Sequence, residues 1–304
     1  MIFFYLYTLI LILATATAHP VAVVAAAQAC NGHTELCSRK YSEVSLVGTH
    51  DSAFVGDLPQ DNQAVSVPDQ LNAGIRFLQA QTHKDPLGTL SMCHTSCYLL
   101  DAGSLETYLT TIKTWLDANP NEVLTLLLTN GDNVDVSMFD SAFTSSGLKD
   151  DVFVPSSSPS VLAMDAWPTL QSIISSKKRL VLFLDYGADM TKYPYILDEF
   201  SYFFETPFDT TDPAFPQCSL DRPAGAKPDG RMYIVNHFLD LDIFGVDIPD
   251  RGADAATNAA TGTGSIGSQD DLCASQYGRK PNFVLVDNFD TGDVFTAQKT
   301  LNGL

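Results

Sequence analysis

The chain has 304 residues, 45% of them hydrophobic and 10% aromatic, which is ample for a sizeable core. Its formal net charge of −19 and isoelectric point near 4.4 exclude a nucleic-acid partner and give no attraction to an anionic membrane. An anionic substrate must therefore be met by local groups inside a cleft.

Residues 2–14 form a nearly unbroken apolar run, the length of a signal-peptide core and too short to span a bilayer. Ala16-Thr17-Ala18 fits a cleavage site, and Ala25-Ala26-Ala27 is a second candidate. The expected organisation is a signal peptide over 1–18, or as far as 27, followed by one domain over 28–304. No apolar tail precedes Leu304, so no lipid anchor or transmembrane segment is expected in the mature chain, and membrane contact is at most transient. The reading is a secreted, extracellular monomer. Cysteine usage agrees, because six cysteines in an exported chain favour disulfides over metal or redox chemistry. Many pairings are open to six cysteines; the expected set is Cys30–Cys37, Cys93–Cys97 and Cys218–Cys273. No Asn-x-Ser/Thr sequon occurs.

Taken in order, residues 44–47 read as a short strand, 65–73 as a helix ending at Gly74, and 75–82 as a second strand. A turn at 84–88 leads to an extended segment over 90–94. Residues 105–116 follow a helical period, with Ser104 as cap and Asn119-Pro120 as stop. Residues 122–129 are a continuous apolar run of the kind that parallel sheets bury on both faces. Helices are predicted over 136–143 and 168–175, a strand over 179–185, a short helix over 193–199 and a strand over 201–205. Residues 206–230 form a loop rich in Pro and Asp, 232–236 a strand, and 247–269 a long, small, polar stretch. The last strand is 283–287 and the last helix 292–301. Alternation of this kind gives a doubly wound sheet or a barrel, and about seven strands in one domain of this length favour the barrel.

Chemistry in such barrels sits at the carboxyl ends of the strands. Here those ends read His50-Asp51, Gln79 to His83, Thr129-Asn130, Asp185, Asn236-His237 and Asp287-Asn288. Alternation puts Gln79, Gln81 and His83 on one face. Each such residue alone has an ordinary structural reading, since Asn and Asp favour turns. Three histidines and three carboxylates among those ends favour a site at the barrel mouth. His94 stands between Cys93 and Cys97; in an exported chain a disulfide pinning its loop is favoured over a metal site. His50 and His94 then form a base and acid pair suited to in-line displacement at phosphorus.

These residues resemble the X domain of phosphatidylinositol-specific phospholipase C, and most of all its secreted fungal phosphodiesterase branch. The matching segments are 47–52, 74–81, Leu90-Ser91-Met92-Cys93-His94-Thr95-Ser96-Cys97, 117–123, Asn236-His237-Phe238 and 283–287, in the family's order. The resemblance implies a distorted TIM (β/α) barrel. It implies that His50 is the general base, Asp287 its orienting carboxylate, His94 the general acid and Asp51 its neighbour. The implied product is a cyclic inositol phosphate. Gln81 stands where bacterial relatives carry a phosphate-binding arginine, and Gln79 and Gln81 stand where calcium-dependent relatives carry acidic ligands. The third acidic ligand of those relatives falls at Thr129 or Asn130.

Gln79, Gln81, His83, Asn130 and Asn236 are the expected substrate-binding residues. His83 is a candidate for the missing positive charge, and Asn236 rather than His237 is expected to point inward. No cofactor is obligatory, and Ca²⁺ is an option held by Asp51, Asp185 and amide oxygens. Arg76 reads as a structural ion pair, and the glycine-rich run 261–267 as a flexible surface loop. The expected activity is that of a phosphoric diester hydrolase or lyase acting on phosphatidylinositol-like or related phosphodiesters, with a phospholipid or small phosphodiester as substrate. The alternatives are a catalytically weak or inactive barrel that binds a phosphorylated ligand, and a metal-dependent phosphodiesterase with another substrate.

Overall fold

The structure, a computed structural model, describes residues 28–304; the expected signal peptide lies outside the described residues. Strand β1 (Leu46–Thr49) is wholly buried and starts two residues later than expected, because Tyr41–Glu43 is a 3-10 turn whose C-cap is Val44. Helix α1 (Val67–Ala73) is capped by Ser66, carries Pro68 in its first turn and ends at Gly74. Strand β2 (Phe77–Lys84) pairs antiparallel with β3 (Leu90–Cys93), which pairs with β4 (Asp101–Ser104). The sequence gives no sign of β4, whose residues are largely exposed and do not alternate. Helix α2 (Leu105–Ala118) forms on the expected stripe, burying Leu105, Leu109, Ile112 and Leu116.

Then come β5 (Leu124–Asn130), α3 (Ser137–Ser145), α4 (Leu170–Ser176) and β6 (Leu180–Leu184). The helix expected over 193–199 is instead a turn leading into β7 (Ile196–Asp198). Ile196 and Leu197 are buried in different core clusters, the period of a strand and not of a helix. A single turn, α5 (Glu199–Tyr202), joins it to β8 (Phe203–Glu205). Strand β9 (Met232–Asn236) precedes a hairpin of β10 (Asp240–Asp242) and β11 (Asp247–Pro249). The polar stretch expected over 247–269 contains α6 (Asp254–Thr257) and the start of α7 (Ile266–Tyr277). Strand β12 (Phe283–Val286) and α8 (Val294–Asn302) complete the chain.

Eight strands run parallel in the order β7-β6-β5-β2-β1-β12-β9-β8. Among the described residues no ladder joins β7 to β8, so the barrel has a seam. Aromatic side chains close it from inside: Phe183 of β6 meets Phe203 of β8 edge-on at 4.9 Å, and Phe203 reaches Phe283 at 5.5 Å. Phe77 and Phe283 pack at 4.3 Å. The alternate strand positions, among them Val47, Leu78, Leu126, Leu182 and Val284, face outward onto the helices with Leu109, Ile112 and Phe139. The fold is thus a distorted α/β parallel barrel.

All three expected disulfides form, with Cα separations of 5.1 Å (Cys30–Cys37), 4.8 Å (Cys93–Cys97) and 5.3 Å (Cys218–Cys273). The glycine-rich run is a surface segment only in its first half: Thr261, Gly262 and Thr263 are exposed, whereas a Cβ on Gly264 would sit 1.9 Å from the Pro213 carbonyl oxygen, so the run is closely packed from there. Arg76 makes the expected structural ion pair, 2.7 Å from Glu122. Among the described residues no helix is long and apolar enough to cross a membrane.

Candidate active site

The carboxyl ends of the parallel strands open on one cleft of about 550 Å³. His50 directly follows β1, and its backbone N–H donates to the Val286 carbonyl at 2.9 Å, extending the β1–β12 ladder. Its carbonyl accepts from Gln63 Nε2 at 2.8 Å. The backbone is therefore fixed before the ring does anything. The ring stacks on Phe238, with centroids 3.7 Å apart, and places Nδ1 2.9 Å from Oδ1 of Asp287. Asp287 immediately follows β12 and is buried; Asn62 Nδ2 donates to both its oxygens, at 3.1 and 3.3 Å.

Asp51 lies between the two histidines. Its Oδ2 is 3.5 Å from His50 Nε2 and 3.4 Å from His94 Nε2, and accepts from Gln81 Nε2 at 2.8 Å. Its backbone is left-handed, with φ of 46°, and its N–H donates to Gln79 Oε1 at 2.7 Å. Its Oδ1 is buried without a partner. His94 is held by the Cys93–Cys97 disulfide and by its N–H to the Leu100 carbonyl, at 3.1 Å. Its ring meets Phe54 edge-on. Burial pulls the His50 pKa down, but Asp51 and Asp287, with Asp240 beyond, outweigh it and push it up to about 9. Burial raises Asp51, with the two histidines opposing.

Gln79, Gln81 and His83 all line the cleft, as their alternation predicts. Gln81 also accepts from the Thr95 N–H at 3.1 Å, so it ties Asp51 to the His94 loop. His83 is paired with Asp132 at 3.0 Å and lies over Gly131, where a Cβ would come within 2.8 Å of its ring. Asn130 is a correction. Its amide donates to the Val134 and Tyr186 carbonyls and its oxygen accepts from the Val134 N–H, so it closes the turn after β5; Thr129 lines the cleft instead. Asn236 faces the cleft, but its amide is spent on Glu205 at 3.2 Å and the Thr206 carbonyl at 2.8 Å. His237 points away, buried between Gln269 and the Thr257 carbonyl.

Asp185 lies on the far side of the cleft from the histidines. Its Oδ1 accepts from the N–H groups of Asn130 (2.7 Å) and Tyr186 (2.6 Å), and burial pushes its pKa up to about 6. Ca²⁺ takes roughly six to eight oxygen ligands. Asp51 and Asp185 are committed to separate networks, and among the described residues no group of three or more His, Cys, Asp or Glu is gathered as for a metal ion. The residues present therefore do not fit a Ca²⁺ site.

Several cleft residues escape a reading of the sequence. Arg222 comes from the Pro- and Asp-rich loop; its Nε is 3.0 Å from Glu205 Oε2, and its guanidinium lies 4.3 Å from the Phe208 ring centroid. Asn62 comes from the loop after β1. Neither position has a periodicity to mark it. Glu205 ends β8 as the expected residues end their strands, so the same strand-end test finds it. Glu199 beside it is held well above the carboxyl range by burial and then by Glu205.

A model of the PI-PLC X 1 family matches residues 36–302. The PI-PLC X domain-containing protein 1 of Arthroderma benhamiae is 59% identical over 276 residues, covering 90% of this chain and 90% of that protein. An uncharacterized secreted protein of the same organism is 44% identical over 274 residues, covering 87% of this chain but only 61% of its own length. Among solved structures, the phosphatidylinositol-specific phospholipase C of Listeria monocytogenes is similar with a TM-score of 0.55 and 18% identity, covering 88% of this chain and 95% of that one. A Staphylococcus aureus enzyme of the same name gives 0.53 and 14%, covering 88% and 94%. At such identities the likeness is one of fold. The family match spans nearly all the described residues and the identity to a curated member is high: the chain belongs to the PI-PLC X family.

Proposed function

We propose that this chain is a secreted phosphoric diester hydrolase or lyase that cleaves phosphatidylinositol-like or related phosphodiesters by histidine base and histidine acid catalysis. One observation carries the reading: Nε2 of His50 and Nε2 of His94 both lie within 3.5 Å of a single oxygen of Asp51. Two imidazoles so placed serve the attacking and the leaving oxygen of one phosphorus centre. His50 takes the proton of a substrate hydroxyl beside the phosphorus. That oxygen forms a new P–O bond as the bond to the lipid oxygen breaks, and His94 gives a proton to the departing alkoxide. The product is a cyclic phosphate. Asp287 holds the His50 ring through Nδ1 and stabilises the imidazolium. The chain's own groups supply both proton transfers, so the reading is metal-independent. The seven-residue and shorter disulfide loops and the relative named as secreted support export.

The test is ³¹P NMR of the intact protein with a panel of phosphodiesters, with and without EDTA. A cyclic phosphate that persists in EDTA is expected. His50→Ala and His94→Ala should each lower turnover by about 10²- to 10⁴-fold while circular dichroism stays unchanged. Full turnover in either variant overturns the reading, and loss of rate in EDTA selects a metal-dependent enzyme. The absence of a fixed cation at Gln81 favours a second reading, a barrel that binds a phosphorylated ligand without cleaving it. Saturable binding with no cyclic phosphate would select that one.

A further inference from the structure

The loop that follows β1 turns back on itself and ends against the carboxyl ends of β1 and β12. Within it the Phe54 carbonyl accepts from the N–H groups of Asn62 (3.1 Å) and Gln63 (3.0 Å), and the Gly56 N–H donates to the Gln63 carbonyl at 3.0 Å. Gln63 Nε2 donates to the His50 carbonyl at 2.8 Å and to the Val286 carbonyl at 3.1 Å, so it bridges the two strand ends. The Asn62 carbonyl accepts from the Asn288 N–H, 2.8 Å away and one residue beyond Asp287. The loop is also anchored from a distance. Arg251, two residues beyond β11, donates from Nη2 to the Gly56 carbonyl at 2.8 Å and to the Asp61 carbonyl at 2.7 Å.

This backbone delivers one side chain to the base. Asn62 is 1% exposed, and its Nδ2 is 3.1 and 3.3 Å from the two oxygens of Asp287 and 3.3 Å from His50 Nδ1. Charge fixes the direction of the amide. Turned over, it would set Oδ1 against a carboxylate, whereas as it stands Oδ1 is buried without a partner. An unmet acceptor is the better of those two arrangements. Held from Nδ2 at both oxygens, the Asp287 carboxylate cannot swing, and its Oδ1 stays 2.9 Å from His50 Nδ1. A proton kept on Nδ1 leaves Nε2, on the Asp51 side of the ring, free to take the proton of a substrate hydroxyl.

We propose that Asn62 is a positioning residue, which locks the Asp287 carboxylate and through it the His50 tautomer, and that Arg251 anchors the loop that delivers it. The proposal rests on the reading of His50 as the base. Asp51, Asp240 and Asp209 also face His50, but Asp287 is the one carboxylate among them that Asn62 holds. The effect of Asn62 must therefore pass through Asp287.

The experiment joins a double-mutant cycle to a proton NMR spectrum, both on the intact protein. With phosphatidylinositol vesicles as substrate, Asn62→Leu should lower kcat about 10- to 100-fold and leave KM within about twofold. In an Asp287→Asn background the same substitution should change kcat by less than about twofold, because nothing is left for it to act through. Arg251→Gln keeps the buried amide and tests the same coupling should Asn62→Leu fail to fold by circular dichroism. It should lower kcat about threefold to tenfold, and again much less beside Asp287→Asn. The NMR arm needs no turnover. The His50 Nδ1 proton, bound to a carboxylate, gives a downfield signal that is identified by its loss in His50→Ala, and either variant should shift or broaden it. Losses that add in the cycle, a raised KM with unchanged kcat, or an unmoved Nδ1 proton each overturn the proposal. If no diester is cleaved but the Nδ1 proton responds, the positioning role stands and the catalytic reading fails.

Discussion

Around His50 neutral amides hold the carboxylates of the cleft, whereas around Glu199 the carboxyls crowd on a single arginine. On the histidine side Gln63 holds the His50 carbonyl, Asn62 holds Asp287, and Gln79 and Gln81 hold Asp51. On the carboxyl side one arginine serves a wall of acids, and Oε1 of Glu199 is left without a partner, as Oδ1 of Asp51 and Oδ1 of Asn62 are on the histidine side. The difference is one of partners: amides position the carboxylates that serve the histidines, whereas the carboxyls opposite share one cation. A proton-transfer pair needs its geometry fixed before substrate arrives.

The largest effect that sharpens this contrast is expected on the histidine side. Asp287→Asn keeps volume but takes the charge from His50 Nδ1, and turnover should fall by about 10²- to 10⁴-fold. The pH profile adds a sign. A general base works deprotonated, so kcat/KM rises with pH toward the His50 value of about 9. Removing Asp287 lowers that value, and the acid limb should move to lower pH. A limb that stays put would show that Asp287 does not set the base. The same group ties stability to pH. Its folded value lies above the ordinary 6.5, so its stabilising contribution is full below about 6.5 and is lost as pH rises through about 9.

On the carboxyl side the expected loss is in folding. Arg222→Leu leaves Glu205, itself 2% exposed, without its cation. With Arg222 about one-third exposed, the cost should be about 2–3 kcal/mol in urea unfolding, below the range of fully buried pairs. The acid limb of the pH profile should not move; if it does, the two sides of the cleft are coupled. The smallest effect is expected for Cys93→Ser with Cys97→Ser. That bridge closes a loop four residues apart in sequence, so it constrains the unfolded chain little but holds His94. Turnover should drop about tenfold with the thermal midpoint changed by only a few degrees. A large drop in midpoint with unchanged turnover would give the bridge a purely structural role.

The barrel and the heart of the site are legible in the sequence for one physical reason. Parallel strands buried on both faces are apolar throughout, so the first polar residue after each run marks a carboxyl end. His50, Asp51, Gln81, Asp185 and Asp287 all stand out that way. Asn130 stands out equally and misleads, since an asparagine at a strand end closes a turn as readily as it meets a ligand. Arg222 and Asn62 are invisible because loops carry no period and their partners lie far along the chain. Helix α7 is missed for another reason. It buries Gln269 and Asp270 beside Ile266, and the Cys218–Cys273 bridge does the anchoring that an apolar stripe does elsewhere. Strand β7 is too short for two periods to be told apart.

The left-handed backbone of Asp51 has a consequence for how the protein bears its own function. A non-glycine residue at φ of 46° is strained, and here the strain sits beneath a buried carboxylate with one oxygen unpartnered. Folding alone would be better served by a glycine, which takes that conformation freely. Asp51→Gly should therefore leave the thermal midpoint level or raise it by a few degrees while silencing the cleft. The barrel carries a left-handed backbone position at the point where its two histidines meet, and the stability forgone there is a measure of what the site requires.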